Sequence, residues 1–271
     1  MFHSPAIGSG RRRLGLSLAA ASLALVLAMP AAAMVGGHSD GNDHPYVAAI
    51  GQPDGQGIVF TGVAISPTVV LTVAHGAARL EQATGSDQAR VTFDPIANAS
   101  STWYTGTIHI DPSWNPWIGI GDLAVITFAQ SLPVSPASLP SAGLLDQLGQ
   151  PVLLRSSFDV VGYGLTGYTG GSDGSGRPQA NFDSGGNRKV DRALFLAFNP
   201  KWVWLQMPGA DQLCIGDSGA PTILGDSDVL VGLLSAVSGL QAGCSSSGSV
   251  ADTRLDTPSA RAFIGQYVAL P

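Results

Sequence analysis

The sequence is short of charge, of cysteine and of long periodic segments, and each shortage removes a class of answer. Only 12% of the 271 residues are charged, too few for a coiled coil, a polar helical bundle or a charged disordered tail. The formal net charge of −6 leaves no basic footprint for a nucleic acid. Two cysteines, Cys214 and Cys244, cannot make a disulfide-dense mini-scaffold or a zinc ribbon. Histidines are sparse too. His38, His44 and His109 lack the close spacing of a metal motif, so no metal and no cofactor are expected. What is abundant is glycine, 35 residues, and proline, 18, in a chain long enough to bury one large core or two modest ones.

Residues 1–33 read as an export signal. Arg11, Arg12 and Arg13 precede an almost wholly apolar run from Leu14 to Met29, and Ala31, Ala32 and Ala33 supply the small residues a signal peptidase reads. The alternative is a membrane anchor, but the run falls short of the roughly 20 residues that span a bilayer. The arginine run leaves a twin-arginine route open. Loss of the three leader arginines takes the net charge from −6 to −9. The expected product is secreted, extracellular or periplasmic, without membrane contact once the signal is gone. In that oxidising compartment the two cysteines can pair.

Beyond residue 33 no long segment keeps a helical apolar period. Short apolar runs recur instead between Gly, Pro, Ser and Asp: Ile58–Ile65, Val69–Val73, Thr102–Ile110, Leu123–Phe128, Val152–Val161, Ala193–Phe198, Trp202–Met207 and Val229–Ser238. Such spacing predicts an all-β sandwich or barrel. One helix is expected, over Pro258 to Leu270. Gln130 to Pro151 reads as a connection between two halves, and Gly167 to Gly186 as a Gly/Ser/Asp-rich loop.

Three short segments carry the chemistry. Leu71-Thr72-Val73-Ala74-His75-Gly76 ends a β-like run in a histidine, Gly121-Asp122-Leu123 puts an acid before an apolar strand, and Gly216-Asp217-Ser218-Gly219-Ala220-Pro221 holds a serine in a glycine turn. Taken singly, each is an ordinary structural feature. Together, 47 and 96 residues apart, they supply a nucleophile, a base to take its proton and an acid to orient the base. The flanking glycines let the amides of Gly216 and Ser218 point at one spot, where a tetrahedral oxyanion would sit. An α/β-hydrolase elbow is excluded, since Ala220 stands where its last glycine belongs and no histidine follows Ser218.

The order His, Asp, Ser and the GDSGAP segment resemble the chymotrypsin-like (trypsin-fold) serine proteases. Met34-Val35-Gly36-Gly37 is similar to the family's mature amino terminus, Pro45-Tyr46-Val47 to its first strand, Gly162-Tyr163-Gly164 to the turn opening its second barrel, and Leu233-Leu234-Ser235 to the strand that pairs with substrate backbone. The resemblance implies an all-β fold of two six-stranded antiparallel β-barrels with a C-terminal helix. Residues 34–140 would carry His75 and Asp122, and residues 141–271 Ser218 and the specificity pocket. It implies that Cys214 and Cys244 bridge two walls of that pocket. The family's frequent second disulfide, beside the histidine, is missing as a pair, with Thr61 and Gly76 at its positions, which leaves the His75 loop dependent on packing alone.

Activation by a new α-amino group would pair Met34 with Asp217. The pocket would have Gln212 at its floor, Ser235 and Val237 along one wall and Val250 opposite, favouring small or medium apolar side chains at P1. The implied function is a secreted serine endopeptidase that works through an acyl-enzyme, with protein or peptide substrates and, as a further partner, a protein inhibitor. Activity should rise with pH as His75 loses its proton. The alternatives are a catalytically inactive protease-fold binding protein and an esterase on the same fold.

Overall fold

The computed structural model describes residues 34–53, 57–165, 168–169, 179–180, 186–209, 211–225, 227–241, 243–245 and 247–271. The export-signal reading of residues 1–33, and most of the Gly167 to Gly186 loop, lie outside them. Twelve strands close two antiparallel barrels of six. The first uses β1 (Val47–Gly51), β2 (Ile58–Ser66), β3 (Val69–Thr72), β4 (Gln88–Thr92), β5 (Tyr104–Ile110) and β6 (Ala124–Thr127), in the order β1-β2-β3-β6-β5-β4, and shuts where Ala49–Gly51 pairs with Arg90–Thr92. The second uses β7 (Ser157–Gly162), β8 (Lys189–Phe198), β9 (Trp202–Gln206), β10 (Pro221–Leu224), β11 (Leu230–Val237) and β12 (Ser249–Arg254). Its order is β8-β9-β12-β11-β10-β7, closed by β8 against β7.

The strand pattern follows from what each face meets. β1 is buried at every position, because both of its faces are covered. β8 alternates instead: Lys189, Asp191, Ala193 and Phe195 turn inward while Arg192, Leu194 and Leu196 face solvent, the period of two expected of a half-covered strand. Strands β4, β10 and β12 were not among the runs read from the sequence. They are short and carry the polar residues Gln88, Arg90, Thr222, Asp252 and Thr253, so their apolar signal is diluted.

Helices depart further from expectation. α1 (Ala74–Thr84) continues directly from the His75 segment, where the sequence suggested only the end of a strand. Its Ala, Leu, Arg, Glu and Gln content favours helix, and Ala74, Gly76, Ala77 and Leu80 bury one face. α2 (Leu144–Leu153) occupies the end of the presumed connection and takes Val152 and Leu153 from the predicted Val152–Val161 strand. It bends at Gly149, and Asp256 Oδ2 accepts the Leu145 amide at 2.8 Å to cap its first turn. α3 (Pro258–Ile264) is shorter than the predicted Pro258 to Leu270. After it the chain tightens into turns in which Gln266 N bonds Phe263 O and Tyr267 N bonds Ile264 O. Ala260, Phe263 and Ile264 join the core of the first barrel, with Leu270 packed against it.

Three polar side chains stitch the barrels together. Arg188, fully buried, donates from Nε to Asp40 Oδ2 at 2.6 Å and from Nη1 to the carbonyls of Val47 and Phe93. Tyr163, leaving the second barrel, donates its hydroxyl to the Asp94 carbonyl at 2.8 Å. Thr61, in β2, reaches the other way and bonds the loops of the second barrel. Unpaired, each of these buried groups would carry a desolvation cost, so their pairing fixes how the barrels sit.

Candidate active site

Asp122 holds His75 by two routes. Its Oδ1 accepts the His75 amide at 2.8 Å, capping the otherwise open start of α1, and its Oδ2 lies 2.8 Å from Nδ1 of the ring. Ser235 Oγ donates to the same Oδ2. Burial opposes ionisation of this carboxyl, but the bonds from the His75 ring, Ser235 and the His75 amide outweigh it and hold its pKa below the usual aspartate value. An ionised carboxylate accepts only, so Nδ1 carries the proton and Nε2 presents its lone pair. That lone pair faces Ser218 Oγ at 2.9 Å. The histidine ring is 24% exposed, the aspartate 4%: the ring is reachable from solvent and the carboxylate is not.

The serine turn is fixed from both sides. Asp217 N bonds Cys214 O, Ala220 N bonds Asp217 O, and Gly219 N bonds Leu234 O. Gly216 and Gly219 adopt φ of +98° and +82°, and a Cβ on Gly219 would lie 2.2 Å from the Thr61 carbonyl. Only glycine fits there. The amides of Gly216 and Ser218 donate to no described residue, while the Asp217 amide between them is used. Thr61 Oγ1 donates to the Gly216 carbonyl at 2.8 Å and accepts the Tyr163 amide at 3.1 Å, and Thr61 N donates to the Ser218 carbonyl at 2.9 Å. Thr72 Oγ1 in turn donates to the Thr61 carbonyl at 2.7 Å. The expectation that the His75 loop depends on packing alone is corrected by the His75 amide, which bonds Asp122 Oδ1. Gly76 also packs, its Cβ position 3.1 Å from the Phe60 ring, while Thr61 ties β2 to the serine turn and not to that loop.

Cys214 and Cys244 are disulfide-bonded, with Cα atoms 3.9 Å apart across 30 residues of chain. By loop-closure entropy such a link contributes roughly 3–4 kcal/mol. Val237 and Val250 are direct cross-strand partners on β11 and β12 and so share a face; Val237 is half-buried and Val250 buried. Gln212 exchanges both backbone hydrogen bonds with Val35, which seats the segment from Met34 beside the serine turn. Met34 is fully buried, at a φ of +50°. Its Cε and Asp217 Oδ1 lie 3.3 and 2.3 Å from where a Cβ on Gly162 would be, so side chain and carboxylate converge there. Asp217 accepts the amides of Gly164 and Cys214. Complete burial nevertheless outweighs those two bonds and pushes its pKa up to about 7.

Among the described residues no cluster of potential ligands could hold a metal, and no helix is long and apolar enough to cross a membrane.

Two closed barrels, with histidine and aspartate from one and serine from the other, are the architecture of the chymotrypsin-like serine proteases. The family model described as Trypsin matches residues 34–254, and the chain belongs to that family. Its fold is similar to that of HL collagenase (22% identity over 86% of this chain and 97% of that one, TM-score 0.64). It is also similar to human heparin binding protein (17%, 88% and 99%, TM-score 0.61) and to the scabies mite inactivated protease paralogue S-D1 (14%, 86% and 96%, TM-score 0.64). No curated protein matches the chain by sequence.

Two contributions were not legible from the sequence. Thr61 looked like the remnant of a lost disulfide, and Ser235 was read as a contact for substrate only. A hydroxyl's choice of partner depends on residues distant in the chain, 155 positions away for Thr61 and 113 for Ser235.

Proposed function

We propose that the protein is an exported serine endopeptidase. The observation that carries this reading is the unbroken relay from Ser235 through Asp122 and His75 to Ser218. His75 Nε2 takes the Ser218 proton as Oγ attacks the peptide carbonyl, then gives it to the leaving amine; water repeats the cycle on the acyl-enzyme. Asp122 fixes the tautomer and stabilises the imidazolium. The free amides of Gly216 and Ser218 receive the oxyanion.

Maturation fits the same geometry. Cleavage after Ala33 would leave an ammonium on Met34, whose side chain already converges with the buried Asp217, and a charge pair between the two would offset the desolvation that raises this carboxyl. It would also release Met34 from a left-handed backbone that costs roughly 1–2 kcal/mol in an L-residue. The disulfide suits an oxidising compartment. At the primary pocket, Val237 and Val250 narrow the wall while Gln212 offers no charge, which favours small or medium apolar P1 residues over Arg or Lys.

The rival is a protease-fold binding protein, a reading that the heparin binding protein and the inactivated paralogue make worth testing. A fluorophosphonate probe applied to the processed protein and to its Ser218→Ala variant decides between them. Labelling of the parent alone is the expected result. A folded, processed parent that fails to label would move the protein to the binding class.

A further inference from the structure

The loop between Asp111 and Asp122 carries no charge of its own, and both flanking aspartates are buried. At its tip three apolar residues in succession, Pro116, Trp117 and Ile118, stand in solvent. Trp117 is 92% exposed and Ile118 61%. A lone exposed apolar residue is ordinary on a protein surface. An indole held almost wholly in water beside a second large apolar side chain is not. The tip is also well braced. Asn115 N donates to the Ile120 carbonyl at 2.8 Å and closes the loop, and Asn115 Oδ1 accepts the Trp117 amide at 3.0 Å. Gly119 turns the chain back at a φ of +62° and lies against Trp202, two of whose ring carbons are 3.0 and 3.1 Å from where a Cβ would stand. The tip is therefore presented in one shape, with little ordering cost left to meet on contact.

The chain is acidic overall, at −6, yet the surroundings of this tip are basic. Arg79, on the exposed flank of α1, lines the same groove as Pro116 and Gly119. Lys201, exposed just ahead of β9, lines a small cavity with Gly119 and Ile120. Among the described residues the side chains of these two cations make no hydrogen bond and no ion pair, whereas every other described arginine is engaged. An indole at the end of an uncharged loop, flanked by a free guanidinium and a free ammonium, suits a phospholipid surface. The indole settles at headgroup depth and the cations reach phosphate oxygens. A stable protein interface would take about 20–30 residues a side, and here three side chains stand clear. We propose that the processed protein docks on phospholipid bilayers through Trp117 and Ile118, with Arg79 and Lys201 on the headgroups. Such contact is peripheral and needs no leader, so it replaces the expectation that the exported chain leaves membranes altogether. The groove that the loop borders ends at His75 and Asp122, so docking holds the candidate site close to the bilayer. The proposal does not depend on the proteolytic reading.

The test is co-sedimentation of the processed protein, with Ser218→Ala to prevent self-digestion, on vesicles of phosphatidylcholine alone or mixed with phosphatidylglycerol. The protein should pellet with the vesicles, and adding Trp117→Ser and Ile118→Ser should weaken partition about tenfold or more. Both positions are exposed, so an unchanged urea midpoint shows that this variant keeps its fold. Arg79→Ala with Lys201→Ala should weaken binding about tenfold or more on the mixed vesicles and much less on phosphatidylcholine alone. Brominated lipids should quench tryptophan fluorescence, and that quenching should fall away in Trp117→Phe although the variant still binds. Folded protein that stays in the supernatant with both vesicles would overturn the proposal, as would serine variants that pellet as well as their parent. So would a concentration-dependent dimer that Trp117→Ser abolishes, seen without vesicle binding, since the tip would then be a contact between copies. Fluorophosphonate labelling of the protein that keeps Ser218 decides the proteolytic reading separately, and vesicle binding stands or falls whichever way that result goes.

Discussion

Asp252→Asn should flatten the fall in stability as pH rises from about 4 to neutrality. Asp252 sits on β12 with Val203 and Leu234 as its cross-strand partners, and no part of it reaches solvent. Gly232 makes the room, since a Cβ there would lie 2.8 Å from that of Asp252. Oδ2 accepts from Thr222 Oγ1, while Oδ1 has no partner among the described residues. Burial, only partly offset by the Thr222 bond, raises the pKa from 3.8 to about 7. The folded state therefore keeps this proton across a range in which the unfolded chain has lost it. Stability is undiminished below the unfolded value and falls as pH rises toward 7. The full loss is roughly 4 kcal/mol at about 1.4 kcal/mol per pKa unit. Asparagine keeps the bond from Thr222 but buries an amide without a partner, costing about 1–3 kcal/mol at every pH. Between about pH 5 and pH 9 the variant should thus gain roughly 3 kcal/mol on its parent. Urea unfolding by tryptophan fluorescence, in the Ser218→Ala background to prevent self-digestion, measures both proteins at each pH. A parent-minus-variant difference that stays constant with pH would refute the reasoning.

Thr61→Val strands the Gly216 carbonyl and the Tyr163 amide, and should cost about 1–3 kcal/mol in urea unfolding. Because Gly216 is the proposed oxyanion donor, it should also lower kcat more than it changes KM. Ser235→Ala removes one of the bonds that keep Asp122 ionised and should reduce kcat/KM by roughly tenfold, about 1.4 kcal/mol; unchanged steady-state kinetics would show that the bond is idle. One extra residue before Met34 should prevent its ammonium from reaching Asp217 and cut active-site titre by well over half. A full titre would sink the proposed maturation. With the pair in place, loss of the terminal ammonium's proton at high pH should lower activity, which a pH profile of the processed enzyme would detect.

The residues of the candidate site were more legible in the sequence than its supporting structure. Ser218 announces itself because a serine held in this tight turn needs Gly216 and Gly219 as immediate neighbours, and adjacency is what a sequence records. His75 and Asp122 were found through order and distance along the chain. α1 is masked because the strand-like run ending in His75 leads straight into it, although Ala77 to Gln82 has the composition of a helix. The supporting hydroxyls are hidden for a deeper reason. Ser235 and Thr61 come from elements far along the chain from Asp122 and Gly216, and no local pattern marks them as neighbours until the barrels are closed. Asp252 was hidden in the same way, as a carboxylate in a strand that reads as half polar.

The triad straddles a seam. His75 and Ser218 are 143 residues apart, sit on different barrels, and meet only if Arg188, Tyr163 and Thr61 hold those barrels in register. On the proposed function, activity would therefore be a gauge of alignment between its halves. A ligand, a lattice or a mutation that shifted one barrel by a fraction of an ångström would register first as a lost proton transfer, before either core had noticed.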